Sequence, residues 1–259
     1  MDNRAQVPTN GGWLSVFDER AKITEEKHDT NQSNGGSKDG ASDGASGQEP
    51  WQISGWSDIK DGAVWRNAVH DIIKEMELPL QGKAFDAGCG VLAFSKQFQE
   101  FFPKWELLGV DGAESCIRRI PQLWPDVNPE NFKVGILPNA LEECNGELYD
   151  LTICHGVLMC LSKEEGLETI DHLLRMTKQG GFCLVSELVD VHYQKETEEA
   201  MSRHWQHANY GSEIPTYTYY SEDELINRFS TFGKTWVGRV QVPEYGDRGR
   251  YRINLYIRK

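Results

Sequence analysis

The sequence predicts an α/β fold with a doubly wound, mostly parallel seven-stranded sheet, and three observations carry this prediction. From residue 51 onward, short apolar runs typical of buried strands alternate with helical stretches of about ten residues or more. A glycine-rich turn follows the first of these runs. The last two runs have no helix between them, so they can only pair as a hairpin, which makes the last strand antiparallel in an otherwise parallel sheet.

The elements follow from hydrophobic spacing and from turn residues. Apolar residues recur at helical spacing over 61–78, which predicts the first helix. Gly180 and Gly181 are expected to end a later helix in a left-handed turn, and Ser221 with Glu224 forms the capping box of the last helix. The strands are predicted at 83–88, 105–112, 132–137, 149–156, 181–188, 234–242 and 251–257, and the other helices at 93–102, 113–124, 163–179 and from 221.

Composition divides the chain into a tail and one domain. Residues 29–50 contain no Val, Ile, Leu, Phe, Tyr or Trp, so this tract cannot offset its ordering entropy by apolar burial. We therefore expect residues 1–50 to be a largely disordered, low-complexity tail and residues 51–259 to form the domain, with an aromatic-rich insertion at about 189–220. A short apolar cluster at 13–17 has two interpretations, a loose tail, which we favour, or a flap docked onto the domain.

Charge and cysteine usage exclude several classes of protein. The net charge of -13 and the lack of a basic stripe argue against polymeric nucleic acid as a partner. The longest apolar runs are far shorter than the roughly 20 residues of a membrane span, and the N-terminus lacks the apolar segment of a signal peptide. A cytoplasmic protein is expected. The six cysteines include no CxxC pair, so they are interpreted as buried free thiols.

The glycine-rich turn reads Asp86-Ala87-Gly88-Cys89-Gly90-Val91-Leu92 and indicates a nucleotide-like ligand. Glycines let a backbone approach a ligand closely and point N–H groups at an anion. A dinucleotide-binding turn would need a further glycine where Ala93 stands, although Asp111 lies at the spacing of the usual ribose-binding carboxylate. A nicotinamide-dependent dehydrogenase is therefore disfavoured, also by the terminal hairpin.

The flanking segments resemble the class I S-adenosylmethionine-dependent methyltransferases of small-molecule type. The turn at 86–92 resembles the first motif of that family, with Leu92 in place of its third glycine. The stretches "GVDGAES", "YDLTICHGVLMCL" and "LLRMTKQGGFCLVSE" resemble the later motifs, in the family's order and spacing over roughly residues 60–190. The resemblance implies the Rossmann-like methyltransferase fold, an enzyme, and S-adenosylmethionine as the cofactor.

The resemblance also implies a set of cofactor-binding residues. The backbone N–H groups of the turn would bind the cofactor carboxylate, Asp86 would face the ammonium and sulfonium, and Asp111 would accept from both ribose hydroxyls. An Asn-Ala pair stands where the family commonly meets the adenine. The expected cofactor-binding residues are Asp86, Ala87, Gly88, Gly90, Asp111, Gly112, Asn139, Ala140 and His155.

Two residues are candidates for catalysis. His155 occupies the fourth-motif position that faces the methyl group, where it either orients the acceptor or takes its proton, or else simply closes the cofactor pocket. Glu187, like Asp190, lies at the carboxyl end of the fifth strand and is expected to reach an acceptor. Trp51 and Trp56 are expected to cover the pocket from the N-terminal side.

The predicted function is transfer of a methyl group from S-adenosylmethionine to a small-molecule acceptor by in-line displacement. The aromatic insertion and the overall acidity leave room for an amine or heterocyclic acceptor. The alternatives are a methyltransferase that modifies a protein or nucleic acid, and a cofactor-binding but inactive partner subunit. His204 and His207 lack a third ligand at a metal-binding spacing, so no metal is predicted. The sequence leaves the acceptor and the oligomeric state open.

Overall fold

The computed structural model describes residues 49–144, 146–208 and 216–259, together with Trp13, Val16, Phe17 and Lys22, and for residues 203–208 it describes the backbone alone. The polar tract at 29–48 lies outside the described residues. The same holds for the side chains of four residues of the aromatic insertion, His204, Trp205, His207 and Tyr210.

A single mixed sheet forms the centre of the described part of the chain. Its strands are β1 (Gln81–Ala87), β2 (Lys104–Asp111), β3 (Phe132–Val134), β4 (Tyr149–His155), β5 (Thr177–Asp190), β6 (Tyr219–Tyr220), β7 (Lys234–Gly238) and β8 (Arg252–Arg258). The main strand order is β3-β2-β1-β4-β5-β8-β7, and β6 pairs with the end of β5 beside it. The pairs from β3 to β5 are parallel, whereas β8 runs antiparallel to both β5 and β7. The predicted doubly wound, mostly parallel sheet with an antiparallel last strand is confirmed, and β6 adds an eighth strand to the seven that were predicted.

Helices cover both faces of the sheet. They are α1 (Pro50–Ile53), α2 (Gly62–Ile73), α3 (Ala93–Phe101), α4 (Glu114–Leu123), α5 (Ala140–Glu143), α6 (Lys163–Met176), α7 (Gln194–Ala208), α8 (Glu222–Phe229) and α9 (Asp247–Tyr251). Helices α2 and α3 pack on one face, and α6 and α8 pack on the other. Among the described residues, no helix has the length and apolarity needed to cross a membrane.

The side chains of β5 show how the two cores are separated. Phe182 and Leu184 contribute to the core under α2 and α3, while Cys183 and Val185 contribute to the core under α6 and α8. Successive residues of a strand point to opposite faces, so this run is apolar throughout because both faces are covered. The same reasoning explains the near-complete burial of β4.

The predicted boundary at the junction of α6 and β5 is wrong. The helix ends at Met176, and Thr177 already pairs with Tyr149 as the start of β5. The Thr177 hydroxyl donates to the Leu173 carbonyl oxygen at 2.8 Å, so a side chain occupies an acceptor of the last turn. Gly180 does adopt φ of 80°, but it lies within β5, where the pairing with β4 shifts register, and does not end the helix.

A second irregularity in β5 lies at Glu187. Its φ of 64° falls in the left-handed region that side chains avoid, and the pairing with β8 shifts register between Val185 and Leu188. The side-chain oxygen of Asn254 accepts the Glu187 N–H at 3.1 Å and holds this bulge in place. Bulges re-aim side chains near functional sites, and this one turns a carboxylate into the interior.

Candidate active site

A cavity of about 120 Å³ opens at the carboxyl ends of β1, β2 and β4. The chain passes from β1 to β2 and β3 on one side of the sheet and returns through β4 on the other, so β1 and β4 flank the switch point of strand order. Ligands of open α/β sheets bind at this position. Six of the predicted cofactor-binding residues line the cavity, namely Asp86, Gly88, Gly90, Asp111, Gly112 and His155.

The glycine-rich turn has the conformation that its glycines permit. Gly88 and Gly90 have φ of 80° and 52°, and Leu92 has φ of 65°. A Cβ atom at Gly88 would clash with the Val157 side chain, so glycine is required there for close packing as well as for φ. Leu92 is fully buried at the start of α3, and this apolar burial offsets the strain of a conformation that favours glycine.

The N–H groups of the turn are already hydrogen-bonded within the protein. Gly88 and Cys89 donate to the Val110 carbonyl oxygen at 2.7 and 3.1 Å, and Gly90 donates to Asp111 Oδ2 at 2.8 Å. The expectation that these N–H groups bind the cofactor carboxylate is therefore not met in this geometry. They instead tie the turn to the end of β2, which fixes the distance between the two acidic residues of the site.

Asp111 is held by two backbone groups. Besides the Gly90 bond to Oδ2, the Ala113 N–H donates to Oδ1 at 2.8 Å. A carboxylate has about four acceptor positions, so two remain for a ligand diol on the cavity side. Burial raises the pKa of Asp111, and the two backbone N–H groups act against that shift.

Asp86 has an oxygen without a partner. Its side chain is buried, and the Ser95 hydroxyl donates to Oδ2 at 2.5 Å. Oδ1 is buried and accepts no hydrogen bond from any described residue. Burial raises the pKa of Asp86 to about 7, with a further increase from the charge of Asp111 and a decrease from the Ser95 bond. A cationic ligand group would satisfy Oδ1 and would favour the ionised carboxylate.

His155 lies between aromatic rings. Its ring stacks on Trp56 and Phe94 at centroid distances of 4.7 and 4.3 Å, and Trp65 meets it edge-on. Nδ1 lies 2.6 Å from the Ser186 hydroxyl, while Nε2 is buried without a partner among the described residues. Burial lowers the pKa of His155 to about 3, assisted by the charge of Arg248, so the imidazole is neutral at physiological pH.

Three predicted site residues lie away from the cavity, and a fourth contacts it only indirectly. Ala87 is buried in the core under α6, Asn139 is exposed, and Ala140 packs against Gly135. The cavity wall after β3 is formed by Ile136 and Leu137 instead. The family-based position was two or three residues too late because β3 is shorter than predicted. Glu187 is the fourth, and it lines neither cavity.

The Glu187 carboxyl is buried behind a tyrosine. The Tyr245 hydroxyl donates to Glu187 Oε1 at 3.0 Å and accepts from Trp56 Nε1 at 2.8 Å. Burial raises the pKa of Glu187, although Arg252 and Arg248 act against that shift. The expectation that Glu187 reaches an acceptor directly is wrong, because the bulge turns its side chain inward. Asp190 is likewise unavailable, since it forms an ion pair with Arg239.

A second cavity of about 600 Å³ adjoins the first. The two share a wall formed by Trp13, Phe17, Ser54, Trp56, Gly156 and Cys160. The predicted insertion contributes Thr197, Met201 and Tyr217 to the second cavity, while Tyr245, Arg248 and Arg252 come from the C-terminal part of the chain. Trp56 covers the site as predicted, whereas Trp51 does not line either cavity and packs near Trp65.

The N-terminal apolar cluster is docked onto this site. Trp13 stacks on Tyr217 at a centroid distance of 5.1 Å and 7° between ring planes, and its indole N–H donates to the Thr216 carbonyl oxygen at 3.3 Å. Val16 is buried in the same cluster, together with Met201. For these residues the flap interpretation, and not the loose tail, describes the structure.

Sequence reasoning missed the C-terminal contribution to the site. Arg252, Asn254 and Tyr256 alternate along β8 with three apolar residues that lie on the other face. When both faces of a strand are covered, polar residues along one face indicate buried polar groups with specific partners. This alternation is visible in the sequence. Among the described residues, no group of three His, Cys, Asp or Glu side chains is arranged to hold a metal ion.

Comparison with known proteins agrees with this fold. Residues 85–183 match the family model of a methyltransferase domain. An uncharacterized protein of Rickettsia prowazekii (strain Madrid E) is 31% identical over 110 residues, which are 42% of this chain and 44% of that protein. The chain therefore spans less than half the length of the curated relative that it matches.

Two solved structures show the same fold at low sequence identity. An O-methyltransferase family protein from Burkholderia thailandensis has a TM-score of 0.53 and 15% identity, over 76% of this chain and 55% of that chain. Magnesium protoporphyrin IX methyltransferase from Synechocystis PCC 6803, with bound SAH, has a TM-score of 0.53 and 17% identity, over 83% of this chain and 90% of that chain.

The family-model match over residues 85–183 and the shared fold identify a methyltransferase domain within this chain. These matches agree with the resemblance to the class I S-adenosylmethionine-dependent methyltransferases that the sequence motifs carry.

Proposed function

We propose that this protein transfers a methyl group from S-adenosylmethionine to a small molecule that binds in the second cavity. The observation that carries the proposal is the shared wall between the two cavities, in which Trp56 and Gly156 separate the acidic cofactor side from a space of about 600 Å³. That volume lies within the range of about 300–1,000 Å³ that is typical of small-molecule sites. Magnesium protoporphyrin IX, the small molecule named for one structural neighbour, is consistent with such an acceptor.

The residues on the cofactor side fit a cationic nucleoside. The unpartnered Oδ1 of Asp86 suits the ammonium and sulfonium groups, and the free acceptor positions of Asp111 suit the ribose hydroxyls. The apolar Ile136 and Leu137 suit the adenine. When bound, S-adenosylmethionine supplies a methyl group that its positively charged sulfur activates for displacement.

The chain's own residues would position the acceptor and exclude water. His155 lines the cofactor cavity with an unpartnered Nε2, and its aromatic neighbours hold the ring in one orientation. Efficient general bases have a pKa near the working pH, so an imidazole with a pKa of about 3 is poorly suited to take the acceptor's proton. We therefore assign His155 to orientation, and we assign Glu187 to the positioning of Trp56 through Tyr245.

The first cavity is smaller than a nucleoside-sized ligand requires. Trp13 and Phe17 form part of its wall and belong to a segment outside the sheet. We infer that this wall moves outward as the cofactor binds and closes over it afterwards, which would exclude water from the reacting groups.

Calorimetric titration with S-adenosylmethionine, S-adenosylhomocysteine and NADH tests the proposal, followed by an acceptor screen with radiolabelled methyl groups. Micromolar binding of the first two ligands alone, with label transferred to small molecules, is the expected result. If the cofactor binds but the label is transferred only to protein or nucleic acid, the acceptor is a macromolecule and not a small molecule. Binding of NADH alone would overturn the cofactor assignment.

A further inference from the structure

Arg252 is a buried cation that faces the second cavity. It begins β8, and its side chain is only 7% exposed. Its guanidinium lies over the Tyr217 ring at 5.0 Å, and Nη1 approaches the Met159 sulfur at 3.1 Å. A thioether is a weak acceptor, and a ring face is a diffuse one. Neither contact neutralises a full positive charge.

The nearby carboxylates do not form ion pairs with Arg252. Asp58 pairs with Arg248 instead, whose Nε and Nη2 donate to the two carboxylate oxygens at 3.1 and 2.7 Å. The Glu187 carboxyl accepts a hydrogen bond from Tyr245 and none from Arg252; burial raises its pKa, although the charge of Arg252 acts against that shift. Within the described residues, no ion pair joins Arg252 to an acidic side chain. A buried charge without a counter-ion is costly, and a ligand anion would remove that cost.

The second cavity also offers apolar side chains against which the rest of such a ligand can pack. Trp56, Met201 and Tyr217 line it, and Tyr217 carries the Arg252 guanidinium on its ring. Its lining also carries Asp58, Asp61, Glu244 and Asp247, against Lys60 and Arg248 besides Arg252, so acidic side chains outnumber basic ones. That balance suits a ligand with a single negative charge better than one with two.

We propose that the methyl acceptor is a small aromatic or otherwise apolar monocarboxylic acid, whose carboxylate pairs with Arg252. This inference rests on the proposed function, because it names the chemical class that the second cavity accepts. It replaces the amine or heterocycle that the aromatic insertion had suggested. Arginine binds a carboxylate through two parallel N–H donors, so the pair would also fix the direction in which the rest of the acceptor points.

The experiment compares acids with amides of the same shape. Benzoate and benzamide, and indole-3-acetate and indole-3-acetamide, are titrated into the parent protein saturated with S-adenosylhomocysteine. Each acid is expected to bind about tenfold more tightly than its amide, or better. Equal binding of acid and amide, or no binding of either acid, would overturn the proposal. So would tighter binding of phenyl phosphate than of benzoate, since that would indicate a dianion site.

Variants locate the effect at Arg252. Arg252→Met keeps the length of the side chain and removes its charge, so the preference for acids should disappear, while Arg252→Lys should retain part of it. Arg250→Met is the matched control, because Arg250 is exposed two residues earlier and does not line the cavity. It should keep the full preference. A preference that survives in Arg252→Met would overturn the assignment.

Two further readouts separate this inference from its alternatives. Without ligand, Arg252→Met should melt at the same temperature as the parent or higher, because an uncompensated buried charge is removed. A large fall in melting temperature would indicate a structural role and count against the proposal. Binding of S-adenosylhomocysteine should be unchanged in all three variants. If the parent protein itself does not bind S-adenosylhomocysteine, the proposed function is refuted.

Discussion

At the scale of single residues, Asp111 accepts from the Gly90 N–H of the glycine-rich turn, and we propose that it also binds the cofactor ribose. Asp111→Asn keeps the size of the side chain and removes its charge. We expect affinity for S-adenosylhomocysteine to fall by about a hundredfold, since two hydrogen bonds to a charged acceptor are lost or weakened at about 1.5 kcal/mol each. Titration calorimetry measures this, with Glu114→Gln at the exposed start of α4 as the control. Unchanged affinity in Asp111→Asn would remove Asp111 from the cofactor site.

Asp86 should make cofactor binding depend on pH. With a pKa of about 7 in the free protein, its carboxyl is mostly protonated at about pH 6 and mostly ionised at about pH 8. A cationic ligand requires the ionised form, so affinity for S-adenosylmethionine should rise by about tenfold over this range, in proportion to the ionised fraction. Asp86→Asn should bind weakly and without this dependence. A pH-dependent Asp86→Asn variant would assign the effect to another group, with Asp111 the nearest candidate.

His155 should remain neutral throughout the physiological range. Because burial lowers its pKa to about 3, its ring proton signals should not shift between about pH 5 and pH 8 in a nuclear magnetic resonance titration. The His155→Gln variant, which lacks the signal, assigns it. An inflection of the His155 signal near its ordinary pKa would restore the histidine as a candidate general base.

At the scale of elements, the bulge of β5 links the sheet to the site through Tyr245. Tyr245→Phe removes the hydroxyl that joins Trp56 and Glu187, and leaves both buried groups unpaired. We expect a loss of about 2 kcal/mol in the free energy of unfolding, measured by urea titration. Glu187→Gln should cost less, because its pKa is already raised and the amide resembles the protonated acid.

The losses in the free energy of unfolding caused by Tyr245→Phe and Glu187→Gln should not add. Once Tyr245 has lost its hydroxyl, the hydrogen bond to Glu187 is already absent and the change at Glu187 cannot weaken it further, so the double variant should be more stable than the sum of the single effects predicts. Strict additivity would show that the hydrogen bond between the two side chains contributes nothing. Turnover should fall in Tyr245→Phe if this network positions Trp56 between the cavities.

At the scale of the whole molecule, the N-terminal cluster closes the cavities from outside the sheet. Trp13→Ala combined with Phe17→Ala should accelerate dissociation of S-adenosylhomocysteine by about tenfold, because the wall that these rings form is removed. Stopped-flow fluorescence measures the rate, and Lys22→Ala, exposed in the same segment, is the control. Dissociation at the parent rate would show that the cluster packs on the domain without gating it.

The sequence by itself determined the class of fold and named most of the residues that we propose for the cofactor side. Strand and helix order, the turn around Gly88 and Gly90, and the carboxylates Asp86 and Asp111 follow from local composition and short spacing. The hairpin ending predicted the antiparallel β8 because no helix separates the last two strands. These features depend on neighbours in the chain, so the sequence displays them directly.

Only the tertiary structure decided which residues face the acceptor. The bulge at Glu187 turns a predicted catalytic carboxylate into the core, and the short β3 brings Ile136 to the cavity in place of Asn139. Trp13 and Arg252, at opposite ends of the chain, meet at the same tyrosine, Tyr217. Contacts between residues so far apart in sequence depend on how the whole chain packs, and no local pattern encodes them.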